Sequence, residues 1–268
     1  MRGQMTPLKR MALTQAARVF GRYKDGLWAA VRQRDSLEDS LRCLRILLPE
    51  QSITVERLEH YLEELRTADD IRASVEQYDE MLSKGWAQRL SGKGMSSIIL
   101  CYLCARLLKP QVVVETGCAT GWTSTLLLFA LQCNQQGRLW SIDIPPKAGQ
   151  LSMDWTLPAG VSPGFLVPAS LRERWTLILG DAREHLGPLL QRQQPVDLFF
   201  HDSDHTYQHM MWEYTSIWPS LRNGGILVSD DIGWNTAFWD FATAMKAPMA
   251  IHQSNANLGA LLKRTPPA

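Results

Sequence analysis

Val112-Val-Val-Glu115-Thr-Gly117-Cys-Ala-Thr-Gly121-Trp-Thr123-Ser124 is the stretch that decides the fold. A β-branched run ends in an acid, passes two glycines and opens into an apolar helix that includes Leu126 to Leu131. Strand, glycine-rich turn and helix in that order begin a doubly wound α/β sheet and make a nucleotide-binding entry. The glycines permit positive φ and close approach of the backbone to a ligand. The helix N-terminus behind them offers free N–H groups to an anion. The spacing is G-x-x-x-G rather than the G-x-G-x-x-G of the dinucleotide fingerprint, which argues against a pyrophosphate.

Working outward, Met95–Leu108 reads as a helix ended by Pro110. Gly137-Arg-Leu-Trp-Ser-Ile-Asp143 is a second strand ending in an acid, 26 positions after Gly117. An acid at that tip can accept hydrogen bonds from the ribose hydroxyls of an adenosine. Residues 144–174 are rich in Pro and Gly and read as an insertion on the ligand side. Trp155, Phe165 and Leu166 are its candidates for pocket lining or for packing. Trp175-Thr-Leu-Ile-Leu-Gly180-Asp181-Ala182 is a third strand and helix start. Asp181 can reach an adenine amino group while the next N–H meets a ring nitrogen, and it can equally cap the helix.

Val196-Asp-Leu-Phe-Phe-His201-Asp202-Ser-Asp204-His205-Thr-Tyr207 is a fourth strand running into a polar cluster, and Gly224-Gly-Ile-Leu-Val-Ser-Asp230-Asp231 is a fifth strand ending in paired acids. Neighbouring tips of a parallel sheet lie about 5 Å apart. Asp202, Asp230 and Asp231 are therefore expected to converge at the carboxyl edge, and an oxygen-only ligand set suits Mg²⁺, with Ca²⁺ or Mn²⁺ as alternatives. His205, three residues after Asp202, is placed to act as a general base. His201 should point away from Asp202's side of the strand, and His209 is a weaker candidate. Trp234, Asn235 and Trp239 follow in an aromatic loop, with Phe241 close behind. Two final strands near Met249–Gln253 and Leu258–Arg264, joined by a hairpin signal, predict one antiparallel member.

Residues 1–93 read as helices and carry no catalytic constellation. One ends at Pro49, one is capped by Thr54 and runs to about Arg66, and one covers Ile71–Leu82. They are expected to form a cap or a dimerisation region, joined at Ser91-Gly-Lys-Gly94 to a cofactor-binding domain at 94–268. At 268 residues and 45% apolar content the chain has a sizeable core, and a net charge of +1 gives no sign of a nucleic-acid or charged-membrane partner. No signal peptide or membrane span is expected, and five cysteines in mostly apolar segments point to a reduced cytoplasmic protein. Cys101-x-x-Cys104 has no second pair beside it and reads as core rather than as a metal site.

Residues 95–264 as a whole resemble the class I S-adenosylmethionine-dependent methyltransferases, on Glu115-Thr-Gly117-Cys-Ala-Thr-Gly121-Trp-Thr123, Asp143, Gly180-Asp181-Ala182 and Gly224-Gly-Ile-Leu-Val-Ser-Asp230. Within that class Asp202-Ser-Asp-His205-Thr-Tyr207 and Asp230-Asp231 look most like the metal-dependent O-methyltransferases of natural-product pathways, the macrolide-sugar type included. The sugar-modifying type often carries Glu where this chain has Asp230. The resemblance implies a mostly parallel seven-stranded sheet. It implies a cofactor held by Glu115, Gly117, Gly121, Thr123, Asp143, Asp181 and Ala182. It also implies Mg²⁺ on Asp202, Asp230 and Asp231, His205 as the base, and a small-molecule hydroxyl as the acceptor. A metal-independent methyltransferase, an NAD-dependent oxidoreductase of similar fold and a non-enzymatic nucleoside binder are the competing readings.

Overall fold

A computed structural model describes residues 34–83, 95–144, 157, 161–252 and 257–264. The expected joint at 91–94, Trp155 and the hairpin turn at 254–256 lie outside the described residues.

Three helices come first: α1 (Arg34–Leu47), α2 (Val55–Thr67) and α3 (Asp69–Ser83). Thr54 caps α2 as its sequence suggests, its hydroxyl accepting from Arg57 N at 3.3 Å. Leu58, Tyr61, Leu62 and Leu65 form the buried stripe of α2. Then follow α4 (Met95–Leu108), β1 (Val112–Thr116), α5 (Trp122–Cys133) and β2 (Arg138–Asp143). A 3₁₀ turn at Ala169–Arg174 leads into β3 (Trp175–Leu179), α6 (Ala182–Arg192), β4 (Val196–His201) and α7 (Tyr207–Ile217). The chain closes with β5 (Leu221–Ser229), α8 (Ala237–Met245), β6 (Met249–Ile251) and β7 (Gly259–Leu262).

The seven strands form one sheet in the order β3-β2-β1-β4-β5-β7-β6. From β3 to β5 every neighbour is parallel, while β7 runs antiparallel to both β5 and β6. The expected antiparallel final strand is thus β7, lodged inside the edge. β5 begins three residues earlier than its glycines suggest. Its pairing with β4 steps from Val196↔Leu221 to Leu198↔Ile226, and the break falls where Gly224 has φ +78°. This bulge is what the sequence presents as a turn.

Both faces of the sheet are covered. Residues of α1 to α5 share one apolar core with β1, β4, β5 and β7. On the opposite face α6, α7 and α8 pack over a second core built on Val114, Phe199 and Leu227. From Trp122 to Leu131 every residue of α5 is buried, as its unbroken apolar run requires. Cys101 and Cys104 lie fully within this packing, and burial pushes both thiols well above their ordinary value. Leu166, expected to line a pocket or to pack, is 1% exposed and belongs to the core.

Polar groups dock the N-terminal helices. Arg106 on α4 makes a two-pronged ion pair with Glu64 on α2, at 2.7 and 2.9 Å, and lies over the Tyr61 ring at 4.3 Å. On α1, Arg42 Nη2 donates to Ile251 O of the edge strand at 2.5 Å. Next to it Ser40, His252 and Asp39 are linked in a row, 3.2 Å from Ser40 Oγ to His252 Nε2 and 3.3 Å from His252 Nδ1 to Asp39 Oδ2. Ser40 and His252 are both fully buried, so this row joins α1 to the sheet edge and is closed to substrate. α3 reaches the glycine turn: Tyr78 stacks on Trp122 with ring centres 5.9 Å apart, and Ser74 Oγ donates to Leu166 O at 3.0 Å. Replacing Arg106 with Ala removes the ion pair and leaves the Glu64 carboxylate only the Tyr102 hydroxyl at 3.3 Å and His60 at 3.5 Å. The expected cost is about 3 kcal/mol, read as a lower denaturation midpoint with an unchanged denaturant slope.

Candidate active site

The chain reverses its direction of growth between β1 and β4, and the crevice at their carboxyl ends is where such sheets take ligands. β1 leaves this crevice through Gly117, with φ +79°, where a Cβ would stand 2.0 Å from Asp202 O. Gly121, with φ +86°, is the N-cap of α5, and a Cβ there would meet Gly164 Cα at 2.6 Å. Only glycine meets both conditions. Thr123 is buried on the first turn of α5.

The turn is fixed from two sides. Asp143, at the tip of β2, accepts the N–H groups of Cys118 and Ala119 through Oδ2 at 2.8 and 2.5 Å. Burial raises the Asp143 carboxyl, and these N–H groups oppose the rise. From the insertion, Gly164 N donates to Ala119 O and Leu166 N to Thr120 O, at 2.8 and 3.0 Å. The residue read as a ribose acceptor therefore also shapes the glycine turn, a use its spacing did not reveal.

Glu115 faces the α5 side of the sheet and is fully buried. Its Oε2 accepts from Ser124 and Ser141, each at 2.6 Å, and Oε1 has no hydrogen-bond partner. Trp175 Nε1 donates to Ser141 Oγ at 2.9 Å and completes the chain of contacts. Burial pushes the Glu115 carboxyl up to about 7, against the two hydroxyl donors.

Asp181 caps α6, accepting from Arg183 N at 2.8 Å, and Ala182 is buried at the first position of the helix. Beside these acids stand two apolar residues that the sequence reading passed over. Ile144 follows Asp143 and is 53% exposed, and Leu179 precedes Gly180 and is 50% exposed. Their signal was available as a bulky aliphatic residue next to an acid at each of two strand tips.

On the other side of the switch point, the main-chain ladder continues past the strands. Asp202 N donates to Thr116 O and Asp230 N to His201 O, both at 2.9 Å. His205 Nε2 lies 3.5 Å from Asp202 Oδ1 and 3.9 Å from Asp231 Oδ2. Asp231 adopts φ +54°, a left-handed conformation that turns the chain into the aromatic loop. That loop is tied back to His205, since Asn235 Nδ2 donates to His205 O at 2.9 Å and Asn235 Oδ1 accepts from Ala237 N at 2.8 Å. Trp234 is 56% exposed, and its ring centre lies 5.4 Å from that of His205. Trp239 is 40% exposed and Phe241 is buried, which divides the pair between surface and core. Asp230 is buried, and its charge and that of Asp202 both bear on the Cys101 thiol. Asp202 and Asp231 thus flank His205. Among the described residues, no three His, Cys, Asp or Glu side chains are grouped as a metal cluster.

Behind His205 lies a buried network centred on Glu213 of α7, which the sequence reading did not single out. Oε2 meets His201 Nδ1 at 2.6 Å and Thr116 Oγ1 at 2.7 Å. Oε1 meets Ser203 Oγ at 2.8 Å and His209 Nε2 at 2.9 Å. Burial alone would lift this carboxyl, but the His201 charge and hydrogen bonds from His201, His209 and Thr116 outweigh it and hold it well below the usual carboxylate range. The His201 ring is held at Nδ1 by Glu213. Its centre is 5.2 Å from that of the His205 ring at an interplanar angle of 72°.

Buried Glu115 gives a pH signature. Its folded pKa of about 7 lies above the ordinary 4.5, so its contribution to stability is complete below pH 4.5 and is lost as pH rises through about 7. Glu115→Gln does not ionise. Its stability relative to the parent should rise steadily between pH 4.5 and 7 and then level off, as urea titrations at successive pH values would show.

Comparison with known proteins agrees with this geometry. The profile of a family described as a methyltransferase domain matches residues 114–232, from within β1 to just past Asp231. Among solved structures, the S-adenosylhomocysteine-bound methyltransferase PaMTH1 from Podospora anserina aligns with a TM-score of 0.53 at 14% identity, over 80% of this chain and 98% of its own. The O-methyltransferase TomG from Streptomyces achromogenes, involved in tomaymycin synthesis and solved with S-adenosylmethionine, aligns with a TM-score of 0.50 at 19% identity, over 74% of this chain and 100% of its own. No curated protein sequence is a significant match. The strand order and the glycine turn described above, with the match of residues 114–232 to a methyltransferase-domain profile, give this chain the α/β fold that these methyltransferases share.

Proposed function

We propose that the protein is an O-methyltransferase that moves the methyl group of S-adenosylmethionine to a hydroxyl of a small molecule, with His205 as general base. The observation that carries this reading is the position of His205, held between Asp202 and Asp231 beside the strand tip that abuts the glycine turn. TomG, by its own description an O-methyltransferase of tomaymycin synthesis, is a fold neighbour that keeps a natural-product acceptor in view.

When bound, S-adenosylmethionine supplies a sulfonium methyl that an oxygen nucleophile displaces, leaving a neutral thioether. Gly117 and Gly121 let the backbone approach the methionine end, where the first turn of α5, with Thr123, offers N–H groups to its carboxylate. Glu115 stands at the foot of this turn. Asp143 would take the ribose hydroxyls, and Asp181 with Ala182 N–H the edge of the adenine, between the exposed aliphatic surfaces of Ile144 and Leu179. His205 would take the acceptor's hydroxyl proton on Nε2. Asp202 and Asp231, both close to that nitrogen, favour the imidazolium that results.

Asp202, Asp230 and Asp231 present hard oxygen donors, the type that suits Mg²⁺ or another divalent cation, although they are not drawn into a closed cluster. A cation there would lower the pKa of a substrate hydroxyl. Free thiols at all five cysteines favour a reducing, cytoplasmic setting.

Calorimetry should show micromolar-range binding of S-adenosylmethionine and none of NAD, with Asp143→Ala weakening it about tenfold, the equivalent of ~1.4 kcal/mol. Preference for NAD, or no binding, overturns the reading. Transfer of labelled methyl to a panel of phenols, catechols and glycosides should be lost in His205→Ala while cofactor binding persists. Loss of transfer in EDTA and recovery with Mg²⁺ would support the cation. Full transfer in EDTA would remove it and leave His205 to act alone.

A further inference from the structure

We propose that Glu213 is a positioning residue for His205, acting through the ring of His201. The proposal rests on the reading of His205 as the base and goes beyond it, because Glu213 touches neither His205 nor the acids beside it in any contact described above.

The first support is the cost of the arrangement. Glu213 is fully buried, and its two oxygens meet four side chains, from His201, Thr116, Ser203 and His209. A well-packed apolar side chain usually serves stability as well as a buried ionic group does, so stability alone does not call for one here. The partners show what the carboxylate gathers. Thr116 ends β1 immediately before Gly117. His201 and Ser203 flank Asp202 on either side. His209 lies on the first turn of α7, just beyond His205. One carboxylate therefore joins the exit of β1, the exit of β4 and the segment that carries His205.

The second support is the path from Glu213 to the base. The Nδ1 bond at 2.6 Å fixes the plane of the His201 ring, and Tyr214 meets the ring at 5.6 Å with an angle of 78°. Tyr214 is in turn tied to Ser229 at 2.6 Å, the residue before Asp230. His201 Nε2 is buried and has no hydrogen-bond partner, so the ring's hydrogen-bonding anchor is the Glu213 end. The ring lies 5.2 Å from that of His205, nearly perpendicular to it. Trp234 lies 5.4 Å from His205, and Asn235 holds His205's carbonyl. The base thus has a ring neighbour in His201, which Glu213 sets, and another in Trp234, which the aromatic loop sets.

The test reads ring position directly and needs no acceptor. The chain has six histidines, and selective ¹³C labelling of their rings gives signals assignable by single substitutions. In Glu213→Gln, with S-adenosylmethionine binding checked by calorimetry to show an intact fold, the ring signals of His201 and His209 should move. The His205 ring signal should move or broaden by more than its linewidth, while that of exposed His60 stays in place. His201→Ala leaves Glu213 its other three partners and should displace the His205 signal in the same way, which keeps the test available if Glu213→Gln does not fold. An unmoved His205 signal in His201→Ala, or in a folded Glu213→Gln, overturns the positioning role and leaves the base assignment untouched. Retention of methyl transfer in His205→Ala would instead remove the base assignment.

Discussion

At residue 117 there is no room for a side chain, and the geometry of the site follows from that. β1 and β4 leave the sheet so close together that a single carbon on residue 117 would stand 2.0 Å from the Asp202 carbonyl. The same crowding sets the glycine turn, where a cofactor's charged end would approach the backbone, directly against the segment that carries Asp202 and His205. In a displacement reaction the two partners must meet in line at short range, and alignment of this kind is a large share of what an enzyme contributes. Here the proximity is built into main-chain packing rather than into mobile side chains.

Two buried glutamates on opposite faces of the sheet show how position decides charge. Glu115 has two hydroxyl donors and no cation, so burial dominates and its carboxyl rises to about 7. Glu213 has two imidazoles and two hydroxyls, and these overcome a burial penalty of the same kind. One face of the site therefore holds an acid easily found neutral, and the other a fixed anion. Low dielectric strengthens both effects, since it penalises a charge without partners and amplifies one that has them.

Much of this was legible in the sequence, because strand tips announce themselves. An apolar run that stops at an acid is a strong local pattern. Glu115, Asp143, Asp181, Asp202, Asp230 and Asp231 all follow it, and the sheet's topology then brings their positions to one edge. Glu213 follows no such pattern. It sits inside a helix four residues after His209, a spacing that on a helix surface would be an ordinary solvated pair. Its meaning depends on Thr116, 97 residues away, and on which face of α7 turns inward. Asp143 was legible as an acid at the right tip, but not as the residue that grips the Cys118 and Ala119 N–H groups, because that contact requires the turn's three-dimensional path. The early start of β5 was hidden by the glycines of its bulge, which look like a loop in one dimension.

The contact of Arg42 with Ile251 has a consequence for the free rim of the sheet. β6 is three residues long and stands at the end of the strand order, so its outward main chain is a template on which another extended segment could grow. α1 lays a guanidinium against its last carbonyl, and the Cys43 thiol reaches the same oxygen at 3.4 Å. A cation and a bulky helix at that point leave an incoming strand neither the acceptor nor the space it needs. By lying across this rim, α1 also guards the fold against edge-to-edge polymerisation.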